Sequence, residues 1–146
     1  MSTFNTVTTH WKGDLTFESD NPSGKFVTMD TDVEGKEREG LSPKAMMLAS
    51  LAGCSGLDVI SILEKMKVSI SDFKIDVTGE LTDEHPKYYK KVNLEYHFYG
   101  SDLKKDKCEK AVQLSVDKYC GVMAMFRKFA EISIDIKYHV STVRHT

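Results

Sequence analysis

At 146 residues, with 40% hydrophobic and 29% charged side chains, the chain is long enough for one domain with its own core and too apolar to be disordered. A net charge of −2 leaves no basic footprint for nucleic acid or anionic lipid, and Lys87, Lys90 and Lys91, like Lys104, Lys105 and Lys107, read as solvated faces. The opening MSTFNTVTTH has no cationic start followed by an apolar core, so no secretory signal is expected.

No membrane span is expected either, because the longest apolar run, from Ala45 to Cys54, is broken by Ser50. A cytoplasmic location follows by default. Three cysteines in that compartment stay mostly reduced, so any disulfide is a step in chemistry rather than a staple.

Residues 3–11, 15–18 and 25–30 are rich in Thr, Val and aromatics, and the segments between them carry turn residues. They predict a small antiparallel meander. TDVEGKEREG, residues 31–40, is polar with two glycines and predicts a mobile loop. Ser42 suits an N-cap and Pro43 the first helical position, so a helix is expected from there to about Met66. Its first half is apolar nearly all round, which predicts burial on most sides. Gly53 and Gly56 flank Cys54 inside it, at a cost of roughly 1 kcal/mol each against alanine. Two such glycines imply either tight packing or the close approach of another backbone or a ligand.

Three alternating segments follow. Phe73, Ile75, Val77 and Leu81 predict a strand with a bulge at Gly79. Val92, Leu94, Tyr96 and Phe98 predict its hairpin partner across the turn at His85-Pro86-Lys87. Ile132, Ile134, Ile136, Tyr138 and Val140 predict the last strand. Each has one apolar and one polar face, as in an antiparallel sheet covered on one side. Between the last two strands a helix is expected from Ser101 or Asp102, as cap, to about Cys120, with Gly121 as its stop and a short helical piece over 122–129. Nothing marks a second domain, so residues 1–146 read as one.

Cysteine in an apolar helix is usually an inert small hydrophobe. Cys54, however, sits among glycines beside Ser55, and Cys120 shares the apolar face of Val112 and Val116. If both helices pack on one sheet, the two thiols converge, and a peroxide-reducing pair needs that arrangement. Asp58, one turn after Cys54, opposes a thiolate if the two face each other. Cys108, in KDKCEKA, reads as an exposed bystander. The histidines at 10, 85, 97, 139 and 145 show no metal-ligand spacing, and His97 and His139 read as solvated on the polar faces of their strands, so no metal is expected. Nucleophile-elbow, dinucleotide and phosphate-loop motifs are absent.

LSPKAMMLASLAGCSGLDVISILEKM resembles the central helix of the OsmC/Ohr family, HWKGDLTF its first strand and turn, and LSVDKYCGVMAMF its second cysteine motif. AGCSGLDVISIL and KYC are most similar to the YhfA-like branch. The resemblance implies an α+β fold: antiparallel sheets wrapped around two central helices in an intertwined homodimer, with two equivalent sites at the interface. It also implies a thiol peroxidase for organic hydroperoxides that needs no cofactor. Cys54 would be the peroxidatic residue, Cys120 the resolving one, and a lipoylated protein or another dithiol the reductant.

The chain departs from the peroxidatic pattern at two places. Lys44 stands where those members carry a glutamate, and no arginine precedes Arg38 to take the role of their N-terminal arginine. Without a fixed cation the thiolate fraction falls and the leaving oxygen is not neutralised. Two substitutes are open. Arg38 could fold over the site from its loop. Lys44, about 15 Å of helix from Cys54 at ~1.5 Å per residue, could act only across a dimer interface. The alternative function is a non-peroxidatic relative that binds a small apolar molecule, or senses oxidants, at the dimer interface.

Overall fold

The computed structural model describes residues 2–141; the His145 reading lies outside them. The chain divides into two compact units between Met47 and Leu48.

In the first unit β1 (Thr9–Trp11), β2 (Phe17–Ser19) and β3 (Val27–Met29) form the expected antiparallel meander. The first turn is built at Gly13 and Asp14, both at positive φ. The segment expected to be mobile, 31–40, is instead pinned. The Asp30 carboxylate, almost buried, accepts hydrogen bonds from the backbone N–H groups of Glu39 (2.8 Å) and Gly40 (3.1 Å) and from Arg38 Nε (2.6 Å). Lys36 reaches Asp14 at 2.7 Å. Polarity alone did not reveal this, because the partners lie just after β3 and in the first turn. The Glu39 N–H, with Arg38 and Gly40, holds the Asp30 carboxyl below the usual aspartate range. The anchoring is therefore fully present above that range and is lost as pH falls through the lowered value. In Asp30→Ala, trypsin should cut at Lys36 and Arg38 several-fold faster than in the wild type, read by timed digestion and mass spectrometry. Equal rates would mean that Asp30 does not hold the loop.

Helix α1 spans Pro43–Lys65. The Ser42 carbonyl opens it by accepting the Met46 N–H, while the Ser42 hydroxyl accepts from Arg38 rather than capping the helix. After it, Lys67 adopts positive φ and Val68 N–H returns to the Leu63 carbonyl. Contrary to the expectation from the Ala45–Cys54 run broken by Ser50, α1 is long and apolar enough by length and composition to cross a membrane, because its apolar content continues to Leu63. Burial on most sides is also corrected. Within the chain one stripe is covered, Leu51, Ser55, Val59 and Leu63, whereas Ala49, Gly53 and Leu57 on the opposite side are exposed.

In the second unit β4 (Asp72–Leu81), β5 (Tyr89–Gly100) and β6 (Glu131–Val140) form a sheet in that order. The β4–β5 hairpin is antiparallel, as expected. The β5–β6 pair is parallel, which corrects the reading of an all-antiparallel sheet. The apolar/polar alternation is the same for both directions; the crossover through α2 and α3 sets this one. Strand β5 is central, and Val92, Leu94, Tyr96 and Phe98 point into the core against the α1 stripe. The register slips between Glu80 and Leu81, not at Gly79. Gly79 is there for space: a Cβ would lie 2.5 Å from the Tyr89 ring and 3.2 Å from Leu48.

The second helical segment also differs from expectation. Helix α2 is Lys105–Leu114, with Lys104 before it and no side-chain cap. It continues as a π-helical turn, Ser115–Tyr119, closed by the Cys120 N–H on the Ser115 carbonyl (2.8 Å). Extended backbone at Cys120 ends the helix, not Gly121, which opens α3 (Gly121–Phe126). Cys108 is fully buried, which overturns the bystander reading; burial pushes its thiol pKa up. It lies four residues before Val112, with which it shares the buried face of α2.

Candidate thiol site

Cys54 lies half-buried on α1, one residue from the covered stripe. Gly56 brings that part of the helix onto β4, where a Cβ would touch Ile75 at 3.4 Å. Gly53 faces open space within the chain, so the tight-packing reading holds for Gly56 alone.

Cys120 comes from the far end of the α2–π segment. It is buried, and as N-cap of α3 its sulfur accepts the Met123 N–H at 3.3 Å. Its thiol pKa is pushed up to about 11, chiefly by burial and further by Cys54 as a hydrogen-bond partner and charge, and by the Asp58 charge. Cys54 and Cys120 are therefore neighbours, and Cys120 keeps its proton across the physiological range.

Beneath the thiols lies a polar network that the sequence reading missed. The Ser55 hydroxyl meets Tyr96 Oη at 2.6 Å and Ser115 Oγ at 2.8 Å, and Ser115 Oγ donates to Asp58 Oδ2 at 3.1 Å. All three hydroxyl-bearing residues are fully buried. Burial pushes the Tyr96 phenol pKa up to about 12, against the lowering effect of its bond to Ser55. Two signals for the network were present: Ser55 falls on the Leu51-Val59-Leu63 stripe, and Tyr96 falls on the apolar face of β5. A hydroxyl at either position needs a buried partner. The π turn contributes by placing Ser115 beside Ser55; such turns are frequent at functional sites. Asp58 is also shared with a cleft of about 350 Å³ bordered by Ile62, Lys65, Leu114 and Tyr119, which neither thiol lines.

The remaining expected residues lie in the first unit. Arg38 is committed to Asp30, to Asp32 (3.0 Å) and to Ser42 (3.0 Å). Lys44 is exposed on the first turn of α1 and pairs with no carboxylate among the described residues.

Comparisons with known proteins agree with this architecture. The family model described as OsmC-like protein matches residues 33–137. The protein YhfA of Escherichia coli strain K12 is 36% identical over 123 residues, covering 84% of this chain and 90% of that protein. Among solved structures, a protein from Aquifex aeolicus VF5 superposes with a TM-score of 0.84 at 28% identity, covering 97% of this chain and 100% of that one. The organic hydroperoxide resistance protein OhrB of Bacillus subtilis superposes with a TM-score of 0.63 at 18% identity, covering 92% and 98%, a likeness of fold alone. Matched along most of its length by a family model and by a relative at this identity, the chain belongs to the OsmC-like protein family.

Proposed function

We propose that the protein is a thiol-dependent redox protein that reduces organic hydroperoxides through Cys54 and Cys120. The observation that carries the reading is the adjacency of the two side chains, with Cys120 holding its proton beside the Cys54 sulfur. The Cys54 thiolate attacks the terminal peroxide oxygen. The O–O bond breaks, Cys54 becomes a sulfenic acid, and the alkoxide leaves and takes a proton to become the alcohol. The Cys120 sulfur then attacks the sulfenic sulfur, forming the Cys54–Cys120 disulfide and releasing water. A dithiol, free or on a lipoylated protein, is oxidised in returning both cysteines to thiols. No metal or cofactor takes part.

Arg38 does not supply the activating cation in this reading, because its guanidinium is taken up by Asp30, Asp32 and Ser42.

The working unit is a homodimer. Leu57 is 77% exposed, and Ala49 and Gly53 share its side of α1, so an apolar, small-residue face awaits a partner helix. A second copy of the chain covers it, which also keeps this helix out of a membrane and suits a cytoplasmic protein. Sedimentation should give twice the 16.5 kDa chain mass, and Leu57→Asp should give monomers. A monomeric wild type would remove the dimer from the account.

The test of activity is peroxide loss from reduced protein given dithiothreitol as turnover reductant. Cumene hydroperoxide should be consumed at least tenfold faster than hydrogen peroxide. Consumption no faster than by free cysteine would leave the second reading, an oxidant sensor or a binder of small apolar molecules. Lys44 at the position of the family's glutamate favours that reading.

A further inference from the structure

The polar face of the second sheet holds a cluster far from the cysteines in sequence. His97, read as solvated, is only 8% exposed. Its Nε2 lies 3.0 Å from Glu95 Oε1 and 3.2 Å from Asp76 Oδ2, and its Nδ1 lies 2.9 Å from His139 Nε2. Asp76 and Glu95 are direct partners across the β4–β5 pair, so two carboxylates face each other at one imidazole nitrogen. Like charges in such a pair are destabilising unless a cation lies between them. One potential ligand atom from each of Asp76, Glu95 and His97 lies within 4.8 Å of the others.

We propose that Asp76, Glu95 and His97 bind a divalent first-row transition ion, of which Zn²⁺ is the natural probe. One imidazole with two carboxylates is a borderline N/O set that suits such ions and leaves positions open for water. Ligands on a tetrahedron at ~2.1 Å from the metal lie about 3.4 Å apart, close to the contacts already present, so rotation of the carboxylates closes the set. His139 supplies the outer contact that such histidines require. Without an ion the His97 Nε2–H faces the two carboxylates; the ion takes the place of that proton, and the His97 Nδ1–H then donates to His139 Nε2. His139 is itself held by stacking on Tyr99, with ring centroids 4.4 Å apart.

The surrounding charges are defined. Lys74 and Lys137 are the direct neighbours of His97 on β4 and β6, and Asp135 is that of Glu95. Lys74 approaches Asp76 at 3.5 Å and must release it, while Asp135 accepts from Asn93 at 3.0 Å and adds negative potential. Spacing along the chain conceals the set because it is assembled across two strands.

The site stands apart from the thiol reading and its test does not use peroxide. Chelator-stripped, reduced protein is titrated with ZnCl₂ by calorimetry and by ¹⁵N NMR of the histidine rings. The expected result is a sheet site of one ion per chain that shifts the His97 Nε2 signal and persists in the Cys54→Ser/Cys120→Ser variant. Its affinity should fall at least tenfold in Glu95→Gln and His97→Gln and ~10–100-fold in His139→Gln. Glu95→Gln, nearly isosteric at a part-exposed side chain, carries the test if His97→Gln does not fold. A His97 ring signal unchanged at saturating zinc, or equal affinity in Glu95→Gln and the wild type, would overturn the proposal.

Discussion

Cys54→Ser should lower the rate of cumene hydroperoxide consumption by roughly 100-fold or more, to the background of the two buried thiols. A serine hydroxyl at the same place is not a nucleophile at neutral pH and cannot form the sulfenic acid. Cys120→Ser should behave differently. The first reduction persists, but the sulfenic acid has no thiol beside it and proceeds to sulfinic acid with excess peroxide. Peroxide loss then stops after about two equivalents, and the mass of Cys54 rises by two oxygens. Cys108→Ser should change neither step: Cys108 is sealed in the core, with burial pushing its thiol pKa up. Peroxide loss with intact mass after each addition reads all three. Equal rates in Cys54→Ser and the wild type would sink the assignment of the nucleophile.

Alkali should unfold the protein through Cys120 and Tyr96. The ordinary values are 9.0 for the thiol and 10.0 for the phenol, and the folded protein raises them to about 11 and about 12. Both groups are neutral when protonated, so the unfolded chain ionises first as pH rises. The stability they contribute is whole below pH 9, falls as pH climbs through each folded value, and is lost above about 12. For Tyr96, buried and displaced by about two units, the loss is on the order of 2–3 kcal/mol. Urea midpoints at pH 8 and pH 11 should therefore differ markedly in the wild type and less in Tyr96→Phe. At pH 8 the same variant should be about 1 kcal/mol less stable, because Ser55 loses one partner while keeping Ser115. A midpoint shift with pH equal in the two proteins would show that the phenol is not the responsible group.

How far the sequence could be read depends on what each feature rests on. Apolar alternation located β4, β5 and β6, and Pro43 with the following apolar run located α1, because periodicity and caps are local properties. Strand direction is not local. Ile132, Ile134 and Ile136 alternate in the same way whether β6 runs with β5 or against it, and only the crossover through α2 and α3 makes it parallel. Cys108 was misjudged from its charged neighbours Lys107 and Glu109, although its four-residue spacing from Val112 already placed it on the buried face.

The candidate site divides in the same way. Cys54 and Cys120 stood out by residue type and motif. Asp58 was noted only as a charge opposing a thiolate. The network that joins it to Ser55, Tyr96 and Ser115 could not be read, because its members lie on three elements and meet only when α1 and the π turn close over β5. The same cross-strand assembly hid Asp76, Glu95 and His97. Arg38 was expected to be free to move because its loop is polar; the almost buried Asp30 carboxylate, just after β3, decides otherwise.

The most direct test of the central claim is a peptide map of the reduced wild type after one equivalent of cumene hydroperoxide. Quenched within seconds with an alkylating reagent, the protein should have lost two hydrogens. Its digest should contain one cross-linked species, joining the Cys54 and Cys120 peptides, with Cys108 alkylated only after unfolding. Scattered, partial oxidation of all three cysteines without that cross-link would contradict the account.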